Sequence, residues 1–167
     1  MLDYKGFYKK SVNDRISFTH KFRKVYFSIS EEINKILETS SNLLLLSAGH
    51  SSMVDMLKFN HIYVLEIIDD FHSLYKAKNS QKLKMLKDLG KIKNPKIDDV
   101  IISNLEYSDD PIQLMNDVNQ ILENNGKVSL ICNNILWNPI FNFFEFLGLK
   151  FKHPRRNLIT ANFVENL

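Results

Sequence analysis

Five short, largely apolar runs, separated by stretches of helical pattern, constrain this chain more than any other feature. They are Leu43 to Leu46, Ile62 to Ile67, Leu83 to Leu86, Val100 to Ile102 and Lys127 to Cys132. Runs of this length bounded by small or polar residues fit strands buried on both faces. The stretches between them carry helical signals. Ser28 or Ser30 followed by Glu31 and Glu32 predicts a helix start, with Ile29, Ile33, Ile36 and Leu37 as its apolar stripe to about Glu38. Met53 to Leu57 has helical character, and residues 69–82 read as a helix or long turn of Lys-rich surface. Asp109-Asp110-Pro111 predicts a helix start with Pro in the first turn, continued by Ile112, Met115, Val118, Ile121 and Leu122 and stopped at Asn124-Asn125-Gly126. Pro139 to Leu147 reads as a very apolar, Phe-rich helix closed by Gly148 and expected in the core. Strand and helix alternating in this way imply a mostly parallel sheet of about five strands covered by helices on both sides.

The chain has 167 residues, the size of one domain. Residues 1–28, rich in Tyr, Phe, Lys and Arg, form a lead-in segment, and 29–167 form the domain proper. A net charge of +3 is too weak to argue for nucleic acid. The one cysteine, Cys132, excludes an intramolecular disulfide framework and a Cys-rich zinc site. It lies in an apolar run and is expected to be a buried, inert thiol. The histidines lack metal-ligand spacing, so no metal site is expected. The N-terminus has no apolar leader core and no apolar stretch is long enough for a bilayer, so cytoplasm is the expected compartment.

In an open parallel sheet, ligands sit beyond the carboxyl ends of the strands. The residues that follow the strands here are Ser47 to Ser52, Glu66, Asp88 and Ser103 to Tyr107. Glu66 stands about 20 residues after the first small-residue loop, where a carboxylate can accept hydrogen bonds from both hydroxyls of a ribose. The alternative is a strand-terminal acid with no ligand. No P-loop and no nucleophile elbow is present.

Three segments carry a family resemblance. LLLLSAGHSSMVDML resembles the first motif of class I S-adenosylmethionine-dependent methyltransferases, and IYVLEII resembles the second, whose terminal acid holds the ribose. The best match is IDDVIISNLEYSDDPIQLMNDVNQILENNGKVSLICNN, similar to the fourth motif and its sequel. The resemblance covers roughly residues 30–165 and implies a Rossmann-like three-layer α/β sandwich whose C-terminal hairpin is missing from the five strands counted. It implies S-adenosylmethionine as cofactor, bound by Ser47, Ala48, Gly49 and Ser51 along the loop, Glu66 at the ribose, Asp88 near the adenine, and Asn104 and Leu105 on the methionine side. His50, Glu106 and Tyr107 are candidates for a base. The chain departs from the pattern in its first motif. Leu45 stands where an acid belongs, Ser47 and Ser51 replace two glycines, and Tyr107 replaces a frequent His. Three functions are therefore weighed: a methyltransferase whose acceptor is not named, a catalytically inactive module that associates with a like or unlike chain through an exposed sheet edge, and, third, a dinucleotide oxidoreductase.

Overall fold

The computed structural model describes residues 17, 20–21, 23–37, 42–46, 51–66, 82–92, 97–103, 105, 108, 110–132, 138–148 and 160. Its elements in chain order are helix α1 (Arg23–Ile36), β1 (Asn42–Leu46), α2 (Ser51–Val54), β2 (His61–Leu65), β3 (Leu83–Leu86), a 3₁₀ turn (Leu89–Lys91), β4 (Ile97–Ser103), α3 (Pro111–Ile121), β5 (Leu122–Ile131) and α4 (Asn138–Phe146). All five expected strands are present. They form one sheet in the order β3-β2-β1-β4-β5, with every neighbouring pair parallel. The architecture is the parallel α/β arrangement expected from the alternation, in the Rossmann-like form that the resemblance implies.

The sheet separates two apolar layers, and the strand period of two assigns residues to each. On one side Leu43, Leu45, Ile62, Val64 and Ile101 pack with Ile33 and Leu37 at the end of α1 and with Met53, Val54 and Leu57 around α2. On the other, Leu44, Leu46, Val100 and Ile102 pack with Leu105 and with Val118 of α3. Leu43, Leu44, Leu45, Val100 and Ile101 have no exposed surface, so β1 and β4 are the centre of the molecule.

The first helix starts earlier than its sequence suggests. It begins by Arg23, so Ser28 and Ser30 are interior residues and not caps. Their hydroxyls donate back one turn, Ser30 Oγ to the Tyr26 carbonyl at 2.8 Å and Ser28 Oγ to that of Lys24 at 3.3 Å. That bond lets a serine sit inside a helix and removes the need to cap one. Ile36 is exposed, and the buried stripe runs through Ile33 to Leu37. In the last turn Lys35 is held above its usual protonation range by its hydrogen bond to Glu32 at 2.7 Å; the pair is exposed and adds little to stability.

The third helix begins as its sequence predicts. Asp110 is the N-cap, its Oδ1 accepting from the Gln113 backbone at 2.9 Å, and Pro111 follows in the first turn. Its end differs. The helix stops at Ile121, and the Leu122 backbone N–H closes it on the Val118 carbonyl. Asn124-Asn125-Gly126 belongs instead to an excursion within β5. Ile97 pairs with Leu122 and Asp99 with Lys127, so residues 123–126 oppose almost nothing on β4. Gly126 is required by close approach and not by a left-handed cap: a Cβ there would fall 2.5 Å from the Asp98 carbonyl oxygen.

Two further expectations are corrected. The Phe-rich helix α4 has no buried residue, and Phe143, Phe144 and Phe146 face outward, so it is not core. Apolar composition selects burial only where another element is there to cover it. Cys132, directly after β5, is exposed and not buried. The closure of α4 is as expected: Gly148 has φ 70°, the left-handed conformation that glycine adopts without cost.

The N-terminal edge of the sheet is joined by acids at the start of β4. Asp98 Oδ2 accepts from the Asn42 backbone at 2.8 Å, and Asp99 Oδ1 from that of Lys127 at 3.1 Å. The Lys127 ammonium donates to the Ile36 carbonyl at 3.2 Å, satisfying a carbonyl at the end of α1. These contacts fix the edge opposite the candidate site.

Candidate functional site

The strand order reverses between β1 and β4. From β1 the chain builds outward through β2 and β3, then returns to place β4 and β5 on the other flank. Helices leaving the two central strands go to opposite faces, α2 to one and α3 to the other. A crevice at the carboxyl ends of those strands is the general consequence. The registers bring the strand ends level. Leu46 is paired with Leu65 of β2 and with Ile102 of β4, and Leu65 with Leu86 of β3.

Glu66 is the first residue beyond β2 on this edge, with only 2% of its surface exposed. A carboxylate buried to this degree is retained only where it is hydrogen-bonded. Ile62 and Val64 face the α1 and α2 layer. Across the switch point, Ser103 ends β4, and its buried hydroxyl donates to the Leu46 carbonyl at 3.1 Å. This bond ties together the ends of the two central strands.

Leu45 is fully buried within the apolar layer that holds Met53, Val64 and Ile101. Its place in the core explains the absence of an acid there: a carboxylate would be stranded among hydrocarbon. Leu105 is 1% exposed and belongs to the α3-side core, so its side chain is committed to packing. Ser51 begins α2. Asp88 lies beyond β3, exposed, at the N-terminus of the 3₁₀ turn, where its side chain makes no capping bond. Ser47, Ala48, Gly49 and Asn104, with the candidate bases His50, Glu106 and Tyr107, lie outside the described residues.

A cleft of about 520 Å³ opens on the α3 side, lined by Leu65, Asp88, Gly90 and Ile92 and by Asp117 and Ile121 of α3. It shares only Asp88 with the expected cofactor set. It lies between the 3₁₀ turn and the C-terminal half of α3, away from the crevice of the switch point. Among the described residues no group of three His, Cys, Asp or Glu side chains could hold a metal, and no helix is long and apolar enough to cross a membrane.

Two side chains that join separate elements carry no motif signal in the sequence. Asn34 of α1 donates from Nδ2 to the Met56 carbonyl and accepts at Oδ1 from the Lys58 backbone, both at 2.9 Å. Ser103 stands among the residues that end the strands, but its bond to Leu46 depends on a partner 57 positions away.

No protein-family model matches the sequence, and no curated protein matches it by sequence comparison. Solved structures do match. A Thermotoga maritima protein described as a SAM-dependent methyltransferase, possible histamine N-methyltransferase, superposes with a TM-score of 0.74 at 14% identity, covering 96% of this chain and 77% of its own. DesVI of Streptomyces venezuelae gives 0.58 at 18% identity, over 71% of this chain and 56% of its own. The glycopeptide N-methyltransferase MtfA complexed with sinefungin gives 0.51 at 19% identity, over 62% and 48%, and MtfA is also known with S-adenosylmethionine bound. This chain spans about half the length of MtfA. The likeness is one of fold: the chain has the fold of S-adenosylmethionine-dependent methyltransferases.

Proposed function

We propose that this chain binds S-adenosylmethionine at the carboxyl edge of β1, β2 and β4 and acts as a methyltransferase domain. The observation that carries the reading is Glu66, a buried carboxylate at the end of β2, level with the switch point. Its two oxygens suit the two hydroxyl donors of a ribose. In this reading Ser47, Ala48, Gly49 and Ser51 line the loop side of the cofactor. Asp88 serves the adenine end, and Asn104 and the Leu105 backbone serve the methionine end. MtfA, of the same fold, holds S-adenosylmethionine and sinefungin.

When bound, the cofactor supplies an electrophilic methyl group on a sulfonium. The work of the protein is then alignment: holding the donor in line with an incoming nucleophile supplies most of the rate, and no covalent catalyst is needed. For a hydroxyl or amine acceptor a base is wanted, and His50, Glu106 and Tyr107 are the candidates. Replacement of two loop glycines by serine adds a small side chain where the backbone meets the ligand, which weakens binding without blocking it.

The test is calorimetry with S-adenosylhomocysteine on the whole chain and on Glu66→Gln. The substitution keeps shape and removes one acceptor and the charge. We expect a single site on the unaltered chain and binding weakened about tenfold or more in the variant, the size of one charged hydrogen bond. No heat and no thermal shift with millimolar ligand would remove the proposal.

A second reading, a catalytically inactive module for association, draws support from α4, where Phe146 is 84% exposed. Sedimentation separates the two: a monomer whose behaviour Phe146→Ser leaves unchanged argues against association through this face.

A further inference from the structure

We infer that Asn34 and Ser103 are positioning residues that fix the two ends of the chain segment joining β1 to β2, on which the proposed cofactor loop lies. The inference rests on that reading for its consequence in binding, and on hydrogen bonds among described residues for its geometry.

Leu46 is the last residue of β1, so its carbonyl is the last backbone acceptor before residue 47. Ser103, from the neighbouring β4, donates its buried hydroxyl to that oxygen at 3.1 Å. The exit direction of β1 is thereby set by a side chain remote in sequence. At the far end of the segment, α2 closes at Val54 and a turn leads towards β2. Asn34 engages this turn with both ends of its amide, donating to the Met56 carbonyl and accepting from the Lys58 backbone, each at 2.9 Å. Such two-point contact fixes orientation as well as distance.

The segment needs outside support. Helix α2 has four residues, too few to be stable by its own hydrogen bonds. Its apolar anchors, Met53, Val54 and Leu57, hold it on the core. A loop that is already ordered loses less freedom when a ligand arrives, so its affinity is higher. Ser103 and Asn34 add fixed points on either side of that loop, at Leu46 from β4 and at Met56 and Lys58 from α1. Both belong to elements packed against the segment and neither belongs to it.

The experiment compares Ser103→Ala, Asn34→Ala, their double variant and the conservative Ser103→Thr and Asn34→Asp in the whole chain, by amide hydrogen exchange without ligand and by affinity for S-adenosylhomocysteine. We expect each alanine variant to speed exchange across residues 47–55 while leaving that of Val100 and Ile101 unchanged. Affinity should fall about three- to tenfold per change, the range of one lost hydrogen bond. Ser103→Thr, which keeps the hydroxyl, should behave like the unaltered chain. In the double variant the two losses of affinity should not simply add, because they act on one segment. Exchange that rises equally at Ile101 and in 47–55, or does not rise at all, overturns the inference. Should the unaltered chain bind no S-adenosylhomocysteine, the cofactor reading falls while exchange alone still decides the positioning role. Asn34→Asp keeps the acceptor for Lys58 and removes the donor to Met56. It carries the same comparison if an alanine variant fails to fold.

Discussion

At the scale of single residues, two positions show how a departure from a motif follows from packing. Leu45 occupies the place of an acid and is sealed in the core with Val64, Ile101 and Met53. Leu45→Ala should therefore destabilise the fold by about 2–5 kcal/mol, the range for a truncated buried leucine, read by urea denaturation. A loss below about 1 kcal/mol would mean the site is less tightly packed than described. Gly126 offers the complementary case. A Gly→Ala change stabilises by about 0.4–1 kcal/mol where the backbone tolerates it, but here the new Cβ would sit 2.5 Å from the Asp98 oxygen and 2.7 Å from the Leu122 side chain. Gly126→Ala should instead lower stability by about 1–3 kcal/mol, as overpacking does, and a variant as stable as the unaltered chain would contradict that reading.

At the scale of elements, legibility followed the physics of each signal. Apolar runs announced all five strands, most plainly β1 and Val100 to Ile102 of β4, which are buried on both faces and have no polar position to spare, whereas the edge strands β3 and β5 are only partly buried. The start of α3 was equally plain, since Asp110 and Pro111 do their work within one turn. Asp110→Ala should cost about 1 kcal/mol, visible as a lowered thermal midpoint, and no change would deny the cap its role. Other features were hidden because they depend on distant partners. A serine near a helix start signals a cap, yet Ser30 bonds back to Tyr26, and nothing local distinguishes the two uses. The Asn-Asn-Gly triplet suggested a helix stop, whereas the excursion it forms in β5 is set by the approach of β4. The apolar α4 suggested core; whether a helix is covered is a property of its neighbours and not of its composition.

At the scale of the whole molecule, the two edges of the sheet divide the labour. Asp98, Asp99 and Lys127 join the N-terminal edge through side-chain bonds to backbone. At the opposite edge a buried acid and the Ser103–Leu46 bond surround the switch point. The sequence motifs indicated that edge through Glu66, but not Asn34, whose contribution exists only once α1 is folded against the turn after α2. The central claim is that the adenosyl ligand binds at this edge. Amide NMR of the chain titrated with S-adenosylhomocysteine tests it most directly. The account predicts the largest shifts at Leu46, Glu66 and Ser103, with Asn42, Asp99 and Lys127 at rest. Shifts confined to that opposite edge, or to Gly90 and Ile121 in the α3-side cleft, would contradict it.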